Sequence, residues 1–375
     1  LFFNNVDKRL VVCVIFLAAI SVLMIGSVNI TDGFFQREVI VQIVAYALGF
    51  ILILAMTLFD YKQVSIKVKW LYIISVIMLL TPYLPIIGLE QYGARSWLNL
   101  GFTTLQPSEF VKILFILLLA TYFSENRERL RNLKEIFKSM LFAVPLIAIV
   151  LKEDLGSALV YCNIWLSMLF FAGVDLKALF QFFLCFIGVV PIGYVYLASY
   201  QKSRIEAFLH PDNLSFQSNY QVYEAKVAIG SGGFLGKGLF QGELKTLDFI
   251  PVQTSDFIFA VIAEELGFVG GFVLISLFAI LLNRLVKAIE DIVDFKGKLI
   301  VVGVIGMFGF QIFENIGMTL GIMPVTGITM PFISAGGSSI LSNMMGLGLV
   351  LNAVIYGKHM SIQTKLSITQ NNFIS

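Results

Sequence analysis

Long apolar runs alternate along the chain with short polar stretches, and most approach the roughly 20 residues that carry a helix across a bilayer. They fall at Leu10–Val28, Val39–Phe59, Trp70–Gly88, Ser108–Phe123, Ser139–Leu151, Ser157–Ala172, Ala178–Ser199, Asp256–Leu282, Leu299–Leu320 and Gly337–Tyr356. The pattern predicts an all-α integral membrane protein of about ten transmembrane helices, built as a single polytopic domain over residues 1–375. A long connector, residues 200–255, separates the seventh and eighth spans, and connectors of that length are usually functional. Within it Tyr220–Ile229 reads as a short amphipathic helix ended by Ser231-Gly232-Gly233. Leu10–Val28 is long for a signal-peptide core and nine further spans follow, so it reads as the first span. No internal repeat is visible.

Composition agrees: 58% of the residues are hydrophobic and 13% charged, against roughly 25% charged in a typical soluble protein. A net charge of +2 excludes a basic nucleic-acid binder and an acidic tail as the main theme. The three Cys lie in apolar runs, which argues against a disulfide framework. His210 and His359 lie far apart on opposite sides, so no His-based metal site is expected. Basic residues set the orientation. With the N-terminus in the cytoplasm, 17 of the 26 Lys and Arg fall in cytoplasmic segments, and five of the other nine lie in the long connector. Both termini are then cytoplasmic. Asn29–Glu38, Leu89–Pro107, Tyr200–Ser255 and the stretch around 321–336 face outward.

Charges at the ends of spans are functional candidates. Asp256 opens the eighth span, where a helix cap is the plain reading and a base the sharper one. Glu264 and Glu265, two turns deeper, need partners or a proton. Glu109 and Lys112 share a helix face at i,i+3, as an ion pair or as part of a ligand site. Arg95, beside Trp97, is an interfacial anchor or a phosphate ligand. Lys152-Glu153-Asp154 is a charged cluster or a hairpin turn. Ser231–Gly238 lacks the glycine and hydroxyl positions of a phosphate loop. Gly336-Gly337-Ser338-Ser339 makes an irregular start to the last span. Arg95, Glu109, Lys112, Asp154 and Asp256 together suit an anionic lipid headgroup, either moved or reacted.

Asp256-Phe257-Ile258-Phe259-Ala260-Val261-Ile262-Ala263-Glu264-Glu265 resembles a signature of the SEDS family (shape, elongation, division and sporulation proteins). So do Asn315-Ile316-Gly317-Met318, Pro324-Val325-Thr326-Gly327-Ile328 and Gly336-Gly337-Ser338-Ser339. Gly93-Ala94-Arg95-Ser96-Trp97, Gln106-Pro107-Ser108-Glu109 and Asp154-Leu155-Gly156 follow suit, in order along nearly the whole chain. The Pro-Val-Thr-Gly-Ile form is similar to the rod-shape branch. Two stretches depart from the family pattern. Pro251-Val252-Gln253-Thr254-Ser255 lacks the usual acid and His before the shared Asp, and Lys152-Glu153 replaces Gln-Pro.

The resemblance implies a peptidoglycan glycosyltransferase that polymerises lipid II during elongation, on the outer face of the bacterial cytoplasmic membrane. Asp256 would be its general base, with Arg95, Lys112 and Arg204 facing the pyrophosphate. Glu109 would orient Lys112, and Asp154 and Ser338 would complete the substrate-binding set. It implies no tightly bound cofactor, with a divalent cation as a second source of positive charge. The implied partners are lipid II, a class B penicillin-binding protein as transpeptidase, and membrane lipids, with no nucleic acid. A lipid II flippase is the competing reading, and a scaffold for cell-wall enzymes a third.

Overall fold

The computed structural model describes residues 7–374 outside 31–32, 59, 63–67, 92–93, 102, 130–132, 176, 182–183, 185–187, 189–193, 196 and 244–252, with side chains as far as 357. Its main helices are α1 Lys8–Val28, α2 Arg37–Leu58, α3 Val68–Leu80, α4 Pro107–Glu125, α5 Leu133–Glu153 and α6 Leu155–Phe171. They continue with α7 Ser199–Leu209, α8 Gln217–Gly232, α9 Ile258–Glu290, α10 Phe295–Thr319 and α11 Gly337–Ile374. Among the described residues, α1, α2, α4, α9, α10 and the Gly337–Gly357 part of α11 are long and apolar enough to cross a membrane. Val68–Tyr83 and α6 are shorter apolar helices. The protein is an all-α integral membrane protein. The expected seventh span, Ala178–Ser199, lies largely outside the described residues.

α10 is buried almost all round, with Leu299, Val301, Val304 and Phe308 fully enclosed, as befits a helix surrounded by others. It packs against α4, α6, α9 and α11. Its start is fixed by Asp294, whose Oδ2 accepts the Gly297 N–H at 2.8 Å. α2 and α11 form another close pair.

Three local outcomes differ from the hydropathy reading. The third run stops as α3 at Leu80, because Pro82 follows in a short 3₁₀ turn. Its expected tail is that turn and the one after it, and only its last residue, Gly88, enters β1, Gly88–Gln91, of a small antiparallel sheet with β2, Ala94–Asn99, and β3, Thr104–Leu105. Leu89 pairs with Trp97 and Leu98 with Leu105; these strands are too short for hydropathy to reveal. Second, α5 begins at Leu133 rather than Ser139, because the Glu135–Lys138 ion pair at 2.5 Å and a hydrogen bond from Tyr122 at 3.3 Å accommodate charge in its first turns. Third, the long connector holds α7 as well as α8. The expected helix at 220–229 is α8, starting three residues earlier and ending on Gly233.

α9 is interrupted at Gly267, whose φ of +65° and ψ of −162° lie outside helical space. Only glycine takes such angles readily. Residues 258–266 therefore form a short, mostly buried helical piece set apart from the longer remainder.

Candidate active site

The turn before α9 carries Asp256. Phe257 stands at the N-cap, and the Asp256 carboxylate instead accepts the Ser255 hydroxyl at 2.9 Å. Among the described residues Asp256 caps no helix amide, so the plain cap reading gives way. Three successive carbonyls of this turn are held from elsewhere in the fold. Ala335 N–H donates to Thr254 O at 2.8 Å, the Ser334 hydroxyl to Ser255 O, and Asn315 Nδ2 to Asp256 O at 2.9 Å.

Arg204 reaches the same place from α7. Its Nη1 donates to the Thr326 carbonyl at 2.9 Å, and its guanidinium lies 5.7 Å from the Tyr200 ring centroid. α7 is tied to the end of α5 by Tyr200, donating to Glu153 O at 3.0 Å, and Gln201, donating to Leu151 O at 2.7 Å. Gly327 lies between the two charges: a Cβ there would stand 3.4 Å from Asp256 Oδ2 and 3.8 Å from Arg204 Nη1. Burial is the largest influence on the Asp256 carboxyl and pushes it up to about 6. The Ser255 hydroxyl and Arg204 pull it down, and Asp154 pushes it up. Partial burial makes Asp256 a stronger base than a free carboxylate, still mostly ionised at neutral pH.

Asp154 caps α6: Oδ1 accepts Ser157 N–H at 2.9 Å and Oδ2 the Ser157 hydroxyl at 2.8 Å. The cluster 152–154 is thus a hairpin turn, as one of its two readings had it, and also faces Asp256. Gln106 joins this corner to α11, giving Nε2 to Asp154 at 3.0 Å and its backbone N–H to Ser338 Oγ at 3.1 Å. Two residues into α4, Glu109 accepts Lys112 Nζ at 2.7 Å, and the Lys112 side chain is 1% exposed. Among the described residues Glu109 Oε2 is buried without a partner. Arg95 sits exposed on β2, its backbone N–H bonded to Glu153 at 2.7 Å, and lines a narrow crevice with Tyr83, Ser108, Glu153 and Asp154. Among the described residues its guanidinium has no partner.

Glu264 and Glu265 stand apart from this cluster. Glu264 Oε1 accepts Lys237 Nζ and the Glu243 N–H, each at 2.9 Å. Glu265 accepts the Ser27 hydroxyl at 2.6 Å and the N–H groups of Phe240 and Gly242 at 3.1 and 3.3 Å. The pair fastens the 237–243 loop. Sequence reasoning overlooked Gln106, Glu314, Thr326 and Ser334 as site supports. The adjacent Glu314-Asn315 inside an apolar helix was the available signal.

A half-buried carboxylate beside a guanidinium can take a proton from a hydroxyl and steady a developing anion. The fold and cluster therefore define a polytopic membrane protein with a carboxylate and a guanidinium set close together at one end of its helical bundle. The cell cycle protein family of FtsW, RodA and SpoVE matches residues 8–359, and the chain belongs to that family. Stage V sporulation protein E of Bacillus subtilis is 33% identical over 94% of this chain and 98% of its own length. Peptidoglycan glycosyltransferase MrdB of Escherichia coli is 30% identical over 95% of each chain. A chain from a peptidoglycan synthase complex that coordinates polymerization and crosslinking superposes with a TM-score of 0.77, at 29% identity over 92% of this chain and 96% of that one. The crystal structure of Thermus thermophilus RodA gives 0.67, at 27% identity over 94% and 97%.

Proposed function

We propose that the protein is a peptidoglycan glycosyltransferase that polymerises lipid II, with the Asp256–Arg204 end of the bundle on the outer face of the bacterial cytoplasmic membrane and both termini in the cytoplasm. The acceptor sugar's 4-hydroxyl attacks the anomeric carbon of the donor. Its proton passes to Asp256, and the bond from that carbon to the pyrophosphate breaks, releasing polyprenyl pyrophosphate. Arg204 and Arg95 counter the growing charge. Lys112, held by Glu109, is a fixed positive charge beneath the site, and Asp154 and Ser338 complete the substrate-facing wall. No three His, Cys, Asp or Glu side chains converge as a metal cage among the described residues. A divalent cation would therefore arrive on the pyrophosphate, held by one or two carboxylates.

The observation that carries the reading is the burial-raised Asp256 carboxyl set across Gly327 from Arg204. The relatives named as peptidoglycan glycosyltransferases support the reaction class. The synthase complex, which coordinates polymerization with crosslinking, supports a crosslinking partner, read here as a class B penicillin-binding protein. A flippase would use the same charges without chemistry, and a scaffold would need none of them. Purified protein given labelled lipid II should form glycan polymer. Transport without polymer would favour the flippase, and neither would favour the scaffold.

A further inference from the structure

Asn315 is fully buried on α10 and donates one amide hydrogen to Asp256 O at 2.9 Å and the other to Ile328 O at 2.8 Å. We propose that Asn315 is a positioning residue for the transfer reaction, fixing the angle at which the 254–257 turn presents its carboxylate toward Arg204. The inference rests on the reading of Asp256 as base.

Three observations carry it. Among the described residues the buried Asn315 Oδ1 has no partner, so an amide stands here against its own desolvation. A residue that only filled space would be apolar. Its two acceptors lie in the two segments that wall the site, the Asp256 turn and the loop around Gly327. Its neighbour Glu314 completes the arrangement: Oε1 accepts the Thr326 hydroxyl at 2.8 Å, and the Thr326 carbonyl receives Arg204. One turn of α10 thus sets the carboxylate through Asn315 and the guanidinium through Glu314 and Thr326. The other two carbonyls of the turn are held by Ser334 and Ala335, which lie in a single loop. Among the described residues, Asn315 is the hold on these three carbonyls that comes from a helix, and sites fixed to helices are more exact than sites on loops.

Asp256 is faced by Arg204 from α7 and by Asp154 from the α5–α6 corner, with Ser255 beside it and Glu314 next to Asn315 on α10. Releasing its carbonyl lets the carboxylate turn toward solvent. The burial influence then falls while Arg204 still attracts the charge, and the acid limb of activity moves to lower pH.

The test compares pH profiles of polymerisation for full-length wild type, Asp256→Asn, Asn315→Ala and Asn315→Ser, each with labelled lipid II and matched for folded protein. Misplacing a reacting group by about 1 Å can cost about 10²-fold. Asn315→Ala should therefore lose roughly 10- to 100-fold in kcat with KM unchanged, and its acid limb should shift down. Asn315→Ser is too short to span both carbonyls and should show the same limb shift. Wild-type kcat and limb in both variants, a loss confined to KM, or failure of both to accumulate would each overturn the inference. Full activity of Asp256→Asn would instead remove the base reading beneath it, a separate outcome.

Discussion

Arg204 and Asp256 confront each other across Gly327 without forming an ion pair: the guanidinium is bonded to the Thr326 carbonyl and the carboxylate to the Ser255 hydroxyl. Each charge keeps hydrogen-bonding capacity for a third group placed between them. A direct pair would have lowered the carboxyl and neutralised the cation; the separation leaves both available.

Activity should therefore fall as pH drops through about 6, where Asp256 takes up its proton. The sign for stability is opposite. A carboxyl raised by burial favours the folded state most below the ordinary carboxylate range, and that advantage is lost as pH rises through about 6. Asp256→Asn should then lose about 10²–10⁴ in rate while melting no lower than wild type at pH 8. Activity within a few-fold of wild type in single-turnover polymerisation would sink the base assignment.

Lys112→Met should abolish polymerisation and lower stability, because it leaves Glu109 buried and uncompensated, a loss of about 3–5 kcal/mol when a buried pair is broken. Adding Glu109→Gln should restore the melting temperature but not the activity. A fully active double variant would reduce the pair to a packing element.

Gly327 has φ +76°, and a Cβ there would enter the gap between the two charges. Gly327→Ala should cost about 1–2 kcal/mol from the left-handed backbone and reduce kcat further by obstructing the gap. Thermal melting and turnover measured on one preparation separate the two effects. Unchanged turnover would show that nothing passes between Arg204 and Asp256.

Reporter fusions after Lys69, Lys138 and Lys298 should read as cytoplasmic, and one within 213–217 as external, from the distribution of Lys and Arg. An external signal after Lys138 would place the Asp256 end on the wrong side for the proposed substrate.

Hydropathy made the bundle legible because a bilayer admits few backbone solutions, and the order of spans follows directly from that. The β1–β3 sheet was invisible, since its strands of four, six and two residues carry no readable period. Glu109–Lys112 was legible because i,i+3 spacing is local. Asp256 and Arg204 were legible as charges but not as neighbours, because α7 is brought in by Tyr200 and Gln201 binding carbonyls some 50 residues away. The three carbonyls pinned behind Asp256 were also out of reach, since backbone acceptors leave no mark in a sequence.

The break at Gly267 also sets a depth. A span takes about 17–25 helical residues; counted back along α9 from Arg284, the unbroken helix reaches the break at Gly267 after about 17, and the slab ends there. On the proposed function, the piece carrying the chain on to Asp256 would lie at the level of phosphates and first sugars. Two lipid-anchored molecules arriving there need not be lifted from their leaflet. Their meeting is a lateral encounter within a plane, where each tail already holds its headgroup at the height of the carboxylate.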